Sequence, residues 1–422
     1  MGSGFGAGWR QVIACLLMMA AGAMVTSGYG VIAVPLSEEF GPSRMVLMLT
    51  MTIMALGSGL LSPMLGALAD RSSLRLLMGL GAGLIVAGFV ALSFATSFAQ
   101  VLIIYGLFMA PANVLVGPMP ATVLLTRWFV KRRGTALGFA IAGVSLGGAA
   151  YPPIAQALLD NFDWREALRL LALVVALSTL PMVFFVANSP AEKGLYPDGA
   201  DAAPETTLAD TRMAEFSLRG LLSDPTFWIL GAIFGLVMSG MMGMATNLVP
   251  LAVDEGIEPS SAAFLISIYA GCGLLAKLIF AAVADRLTPR QLILISLTGF
   301  AAGMACLIGA EAGYWMIALG VGLIGLFGGV MVPLQGLLVP RIFGQSVVGR
   351  ITGILSLVVL CALLSTPPMF GLIYDLTGNY DAIFTAFAGL AIVIMLLVPH
   401  LRLHPKEAVV PEATHEERVE VA

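Results

Sequence analysis

The stretch Gly66-Ala-Leu-Ala-Asp-Arg-Ser-Ser-Leu-Arg75 joins two long apolar segments, and its charged residues occur a second time further along the chain. Asp285-Arg286 and Arg290 repeat Asp70-Arg71 and Arg75 at a distance of 215 residues. One shared spacing over many positions predicts a duplicated unit that has the same orientation in both copies. The other pairs at this spacing are Pro118 and Pro333, Gly138 and Gly353, Pro152-Pro153 and Pro367-Pro368, and Asp160 and Asp375.

The composition around this repeat is that of a membrane protein. Hydrophobic residues make up 59% of the 422 residues and charged residues only 11%, whereas soluble proteins carry about 25% charged residues. Because a spanning helix needs about 20 mostly apolar residues, the sequence predicts an all-α membrane protein with twelve transmembrane helices in two pseudo-symmetric six-helix bundles. The expected spans are 11–36, 45–69, 74–95, 98–125, 135–158, 166–187, 225–252, 260–284, 291–311, 313–338, 349–374 and 381–402.

One long polar stretch, residues 188–222, separates the sixth and seventh predicted spans and contains several prolines. Proline-rich polar segments between apolar segments are typical of linkers. The predicted organisation is therefore an N-terminal six-helix bundle at 1–187, a cytoplasmic linker at 188–222, a C-terminal six-helix bundle at 223–402 and a cytoplasmic tail at 403–422.

The basic residues predict how these helices are oriented. Of the 21 Lys and Arg residues, 17 lie at one set of alternating span ends, and Arg44, Arg165 and Arg169 lie at the other. The positive-inside rule places the basic set in the cytoplasm. We therefore expect a multi-pass protein of the plasma (inner) membrane with both termini cytoplasmic. The basic cluster Arg127, Lys131, Arg132 and Arg133 is expected to anchor it at the lipid surface.

These features resemble the major facilitator superfamily over about residues 9–402. The loop from Gly66 to Arg75 is similar to the signature loop of that superfamily, although it lacks the second glycine and one of the terminal basic residues. Within the superfamily the chain resembles the monocarboxylate transporter and oxalate/formate antiporter branch. The strings that carry this likeness are Pro35-Leu-Ser-Glu-Glu-Phe-Gly41, Arg127-Trp-Phe-Val-Lys-Arg-Arg-Gly134-Thr-Ala-Leu-Gly138 and Pro190-Ala-Glu-Lys-Gly-Leu-Tyr-Pro-Asp-Gly199.

The resemblance implies the major facilitator fold and a role for one residue in the eighth predicted span. In that branch a basic residue of helix 8 binds the substrate carboxylate, and Lys277 stands at this position. The chain departs from monocarboxylate transporters at two places. Gly273 replaces an aspartate tied to proton coupling, and Gly30 stands where a lysine is common in helix 1.

Lys277 is also notable without any resemblance, because every acidic residue and histidine of the predicted spans lies near a span end. A cation in hydrocarbon costs about 2.5–3.5 kcal/mol even on the most lenient scale, so it normally faces a cavity, a partner or a ligand. A fixed cation without a fixed counter-ion predicts an organic anion as cargo. The alternative is that Lys277 extends its side chain to the nearer membrane surface.

Two further groups of residues are candidates for the mechanism. Amide and phenol groups inside spans can hydrogen-bond a bound carboxylate, but they can equally bond neighbouring helices. The substrate-binding candidates besides Lys277 are Tyr29, Asn113, Asn247, Tyr269 and Gln335. The gating candidates, expected to cap helices and pair charges at the cytoplasmic end, are Asp70, Arg71, Arg75, Asp285, Arg286 and Arg290.

The sequence thus predicts a secondary transporter that moves a small organic acid anion across the plasma membrane by alternating access. Partners would be this substrate, a coupling proton or counter-anion, and the lipid bilayer. Proton symport, anion exchange and uniport all stay open, as do an exporter of hydrophobic compounds and a metabolite receptor without net flux. No enzyme, cofactor, metal or nucleic-acid motif is visible, and His400, His404 and His415 lack metal-ligand spacing.

Overall fold

A computed structural model of the chain describes residues 3–42, 44–199 and 217–401. Twelve helices in these ranges are long and apolar enough to cross a membrane, which confirms the predicted number. The first six are α1 (Ser3–Ser27 and Tyr29–Phe40), α2 (Arg44–Arg71), α3 (Leu74–Ser93), α4 (Phe98–Ile104, a π-helical turn Tyr105–Met109, Ala110–Leu115 and Pro118–Trp128), α5 (Arg133–Asn161) and α6 (Trp164–Phe185). The last six are α7 (Pro225–Asp254), α8 (Pro259–Val283), α9 (Pro289–Ile308), α10 (Tyr314–Gly328 and Met331–Phe343), α11 (Val348–Thr377) and α12 (Asp381–Leu397).

Several helices begin where a polar side chain satisfies backbone amides that have no partner within the helix. The carboxylate of Asp163 accepts from the backbone N–H of Arg165 at the start of α6. Asp224 does the same for Thr226 at the start of α7, where Pro225 occupies the first helical position. The remaining connections are short, and the residues 200–216 of the predicted linker and the whole tail 403–422 lie outside the described ranges.

Three helices are interrupted near the middle of the bundle. Within α1 the break falls at Gly28, and within α4 it falls at Val116 and Gly117, directly before Pro118. Within α10 it falls at Gly329 and Val330, three residues before Pro333. Proline cannot donate the backbone hydrogen bond that a continuous helix needs, so α4 restarts at Pro118.

Glycines allow the helices of the first half to pack closely. Gly143 and Gly147 of α5 touch the backbone of α1 at Leu16 and Ala20, so a larger side chain at either glycine would displace α1. These two glycines of α5 therefore bring its backbone against that of α1. On the outside of the bundle, large apolar side chains such as Leu76 and Phe184 are each 73% exposed, as the lipid-facing surface of a membrane protein requires.

The six helices before residue 200 and the six after residue 217 meet along two seams. In the first seam α2 packs against α11, and in the second α5 packs against α8. The predicted domain boundaries stay a prediction, but the seams define which residues lie between the two sets of helices. We call the end of the bundle that carries Asp70 and Asp285 the basic end, because most Lys and Arg residues lie there.

Candidate functional site

Lys277 lies on α8, half-buried, at the α5–α8 seam. Its Nζ donates a hydrogen bond to Ser145 Oγ of α5, and the two atoms are 2.6 Å apart. Within the described residues no acidic side chain forms an ion pair with Lys277. This cation is therefore held by a neutral hydroxyl from the other set of helices.

The α5–α8 seam runs from this pair to the basic end in three levels. One turn beyond Lys277, Gly138 meets Ala281, where a β-carbon on the glycine would lie 2.7 Å from the alanine β-carbon. At the end of the seam the carboxylate of Asp285 accepts from the backbone N–H groups of Gly134 (2.8 Å) and Thr135 (2.9 Å). The Thr135 hydroxyl also donates to this carboxylate. The helices α5 and α8 are thus in close contact between Lys277 and the basic end.

The side chain of Lys277 points away from that closed end. The helices run antiparallel, since Gly138 faces Ala281 and Ser145 faces Lys277. Ser145 is seven positions from Gly138, whereas Lys277 is only four from Ala281. The lysine must therefore reach about one turn toward the N-terminus of α8, the direction in which helical side chains lean. This direction differs from snorkelling to the nearer, basic end.

The α2–α11 seam repeats this arrangement at equivalent positions. Asp70 accepts from the backbone N–H groups of Gly349 (2.7 Å) and Arg350 (2.9 Å) at the start of α11. Each of these residues is 215 positions from its counterpart in the other seam. A negative side chain at a helix N-terminus is stabilised by the free amides and by the helix dipole. Both seams therefore join the two sets of helices at the basic end.

The predicted gating arginines lie near these carboxylates but hold other groups. Arg71 and Arg286 are exposed. Arg75 lies over the ring of Phe184, with 5.7 Å from its guanidinium carbon to the ring centroid. Arg290 donates to the backbone carbonyls of Pro399 and Leu401 after α12. Among the described residues, Asp70 and Asp285 thus accept across the seams from backbone amides of the opposite helices and from the Thr135 hydroxyl, and not from these arginine side chains.

The basic cluster between the end of α4 and the start of α5 divides into two pairs. Arg127 donates to the carbonyls of Ala69 and Asp70, and Arg133 is buried. Lys131 and Arg132 are exposed, as a lipid-surface anchor requires. The expected anchor is therefore limited to these two side chains, because the other two stabilise the protein interior.

Two of the polar candidates in the first half are bound to neighbouring helices. The Tyr29 hydroxyl donates to the carbonyl of Leu47 (2.7 Å). Tyr29 nevertheless lines a cleft of about 390 Å³, together with Gly30, Ala33, Val34, Ser37, Glu38 and Leu47. The Asn113 amide lies 3.4 Å from Ser58 Oγ. These bonds fit the alternative of ordinary contacts between helices, and the structure does not bring either residue together with Lys277.

The three candidates in the second half differ from one another. Asn247 donates to the carbonyl of Gly243 (2.8 Å), and the Tyr380 hydroxyl lies 3.4 Å from its amide oxygen. Tyr269 and Gln335 make no side-chain hydrogen bond within the described residues. Tyr269 lies two turns before Lys277 on α8. Gln335 precedes Gly336, which packs against Thr122 of α4. Tyr269 and Gln335 therefore keep free polar groups.

Sequence reasoning missed Ser145, whose hydroxyl is the partner of Lys277. It is one of many helical serines, and no local pattern distinguishes it. Among the described residues, no three His, Cys, Asp or Glu side chains come together as metal ligands. The site therefore offers a cation, hydroxyls and amides, which are groups that bind an anion.

Known proteins share the sequence pattern and the helix arrangement of this chain. The family model described as Major Facilitator Superfamily matches residues 14–258 and 236–421. Monocarboxylate transporter 11 of Mus musculus is 30% identical over 331 residues, which cover 76% of this chain and 71% of that protein. Monocarboxylate transporter 12-B of Danio rerio is 26% identical over 401 residues, covering 90% of this chain and 83% of that protein.

Solved structures agree in fold at lower sequence identity. The proton:xylose symporter XylE bound to 6-bromo-6-deoxy-D-glucose superimposes with a TM-score of 0.74 at 14% identity, over 94% of this chain and 95% of that one. A bacterial homologue of the iron transporter ferroportin, in an outward-facing state, has a TM-score of 0.72 at 16% identity, over 94% and 99%. These likenesses concern the arrangement of the helices.

Proposed function

The chain belongs to the major facilitator superfamily, and we propose that it is a secondary transporter of a small organic acid anion. The observation that carries this proposal is Lys277, an intramembrane cation whose described partner is a neutral hydroxyl. The relatives named monocarboxylate transporters support a carboxylate as the transported group. The substrate would bind between the two sets of helices, beside the α5–α8 seam.

The energetics of Lys277 favour an anionic cargo over a neutral one. A lysine within the membrane costs several kcal/mol when it has no opposite charge. A carboxylate that binds it forms a charge-assisted hydrogen bond and removes most of that cost. A neutral cargo would leave the lysine charge uncompensated. Binding of the anion at Lys277 would thus release free energy, and this free energy would lower the barrier to the occluded state.

The seams support an alternating-access cycle. A transporter of this kind alternates between two end states. A closed basic end, with Lys277 pointing away from it, corresponds to one of them. With the basic end in the cytoplasm of a plasma-membrane protein, this state presents the site to the outside. Release of Asp70 and Asp285 from the opposite helices would open the cytoplasmic side. A proton or a counter-anion is the proposed coupling partner.

Transport into proteoliposomes tests the proposal. Purified protein would be reconstituted and offered labelled mono-, di- and aromatic carboxylates, with wild type compared with Lys277→Met. We expect at least one carboxylate to enter through wild type and its uptake to fall at least tenfold in the variant. Lys193→Met is the matched control, because Lys193 is an exposed residue outside the spans, and it should transport like wild type.

The competing functions predict other results from the same experiment. If no carboxylate moves but hydrophobic compounds are exported, and Lys277→Met exports them equally well, the protein is an exporter and Lys277 is structural. If a carboxylate binds without measurable flux, the protein is a receptor. If carboxylate uptake is equal in wild type and Lys277→Met, Lys277 does not bind the anion. Each result contradicts the proposal at a different point.

A further inference from the structure

Within the part of the chain that the structure describes, the hydroxyl of Ser145 makes no hydrogen bond to its own helix, unlike the hydroxyls of several other serines in the helices. Ser178, Ser239 and Ser356 each donate to the carbonyl one turn back in their own helix, at 3.0, 3.2 and 2.8 Å. Ser145 makes no such bond within the described residues, and its contact is with Lys277. A helical serine normally satisfies its hydroxyl in this local way. Among the described residues, the hydroxyl proton of Ser145 is therefore left without an acceptor.

The chemistry of the pair shows where that proton is free to point. A lysine ammonium has three donors and no acceptor. In the contact with Lys277 Nζ, Ser145 Oγ must therefore be the acceptor, and its own O–H is directed elsewhere. Nζ of Lys277 and Oγ of Ser145 lie 2.6 Å apart, and a second N–H of the ammonium and the O–H of Ser145 can both donate to one ligand. The two oxygens of a carboxylate are separated by a similar distance, so one oxygen can face each donor.

We propose that Ser145 is a second binding residue for the substrate carboxylate, so that the anion is held by Lys277 of α8 and Ser145 of α5 together. This inference rests on the proposed function, because it assumes a carboxylate at Lys277. Lys277 supplies the charge, and Ser145 supplies the second hydrogen bond and fixes the orientation of the carboxylate plane. Because the two residues belong to opposite sets of helices, the bound anion joins those sets.

The second seam shows that this pair is a feature of one side of the molecule. At the positions equivalent to Lys277 and Ser145, 215 residues away, the chain has Ser62 and Leu360. Leu360 packs its side chain against Gly59 of α2. At this level the α2–α11 seam is therefore an apolar contact, while the α5–α8 seam carries the polar pair. An anion can therefore be bound across the α5–α8 seam, whereas the equivalent positions of the α2–α11 seam offer no cation.

Ligand-induced thermal stabilisation tests the role of Ser145. The purified full-length protein in detergent would be titrated with acetate, L-lactate and benzoate, and the concentration that gives half of the maximal stabilisation would be measured. We expect Ser145→Ala to need about tenfold more anion, since a hydrogen bond to a charged group is lost. Ser145→Thr retains the hydroxyl and should stay within about threefold of wild type. Ser365→Ala is the matched control, because Ser365 is exposed and donates to its own helix.

The outcomes separate this inference from the function on which it rests. Stabilisation of wild type that is lost in Lys277→Met and weakened in Ser145→Ala supports both. If Ser145→Ala binds the anions as tightly as wild type or more tightly, while Lys277→Met does not bind them, only the role of Ser145 is overturned. If wild type binds none of the three anions and the transport panel is also negative, the carboxylate function and the role of Ser145 fall together. Should Ser145→Ala fail to fold, a tenfold weakening in Ser145→Cys would support the inference, and wild-type affinity in that variant would overturn it.

Discussion

At Gly273 the chain has space for a side chain next to its intramembrane cation. The nearest atom to a β-carbon built on Gly273 is the carbonyl oxygen of Gly325 at 3.7 Å. Gly273 precedes Lys277 by four residues on α8, which places the two on neighbouring turns of one helix face. The glycine therefore leaves Lys277 without a fixed counter-ion, and that is the condition under which a mobile anion binds it best.

A carboxylate introduced at this position should compete with the substrate for Lys277 at every pH from 7.5 to 5.5. In Gly273→Asp the ionised aspartate would pair with Lys277 and compete with the substrate, so we expect uptake at pH 7.5 to fall at least tenfold. An aspartate that is paired with a lysine ammonium stays ionised from pH 7.5 to 5.5, so the loss of uptake should persist over this range. The measurement is initial uptake from pH 7.5 to 5.5 at a constant concentration of the ionised substrate.

Gly273→Asn has the same shape as the aspartate and no charge, so it is the matched control. Its uptake should follow the pH dependence of wild type. If Gly273→Asp and Gly273→Asn behave alike at every pH, the effect is steric, and Lys277 is not available to a charge placed one turn away.

The two members of the central pair differ in how far the sequence could reveal them. Lys277 was predicted because a charge in an apolar segment is visible without knowledge of the fold. Ser145 was not, because serine is ordinary in a helix and its partner is 132 residues away in the chain. The orientation of the lysine likewise depends on which helix lies opposite. Residue identity thus indicated the charge, and only packing identified its partner.

At the scale of helices, the two carboxylates at the basic end hold the starts of α5 and α11. Each binds two backbone amides of a helix in the other set. Removing such an acceptor costs about 1–2 kcal/mol, or roughly 5–30-fold in the ratio of closed to open seam. Asp70→Ala should therefore open the α2–α11 seam more often without unfolding either helix.

A buried reporter in that seam measures this opening. Ser62 is only 6% exposed, and Ser62→Cys changes one atom in a background from which the four native cysteines are removed. We expect the purified protein to react with a maleimide about 5–30-fold faster when Asp70→Ala is added. Asp198→Ala is the control, because Asp198 accepts from the amides of Val130 and Lys131 on the same side of the seam. Equal acceleration by both variants would show a general loosening rather than release of a gate.

The helices themselves were predictable, and their interruptions were less so. Apolar length alone located all twelve, and the 215-residue spacing predicted which loops would be equivalent. The break at Gly28 and the π-helical turn at Tyr105–Met109 have no comparable signal, because glycine and tyrosine are common in membrane helices. The burial of Arg133 was also not predicted, since a basic cluster at a span end has the same sequence whether it faces lipid or neighbouring backbone.

For the whole molecule, the proposed function predicts that the charge of Lys277 determines which step of the transport cycle is slow. With a monovalent carboxylate bound, the site is neutral as the helices rock. When the carrier returns empty, Lys277 is paired only with the Ser145 hydroxyl or with water. A charge without an opposite charge in the membrane is costly, so the return of the empty carrier should limit net uptake. Exchange of one anion for another avoids that step.

Net uptake and exchange should therefore respond differently to a membrane potential. An interior-negative potential opposes outward movement of the positive empty site by up to about 2.3 kcal/mol per 100 mV. The potential can be set in proteoliposomes by potassium diffusion. We expect an interior-negative potential to slow net uptake and to leave the rate of exchange against preloaded unlabelled anion unchanged. Net uptake as fast as exchange and indifferent to the potential would contradict this, because the empty site would then cross uncharged. In that case Lys277 would release its proton before returning, and a proton would be the coupling ion. The same pair of measurements thus distinguishes an anion exchanger from a proton-coupled carrier. The two differ in whether Lys277 is charged or neutral while the empty carrier changes from one end state to the other.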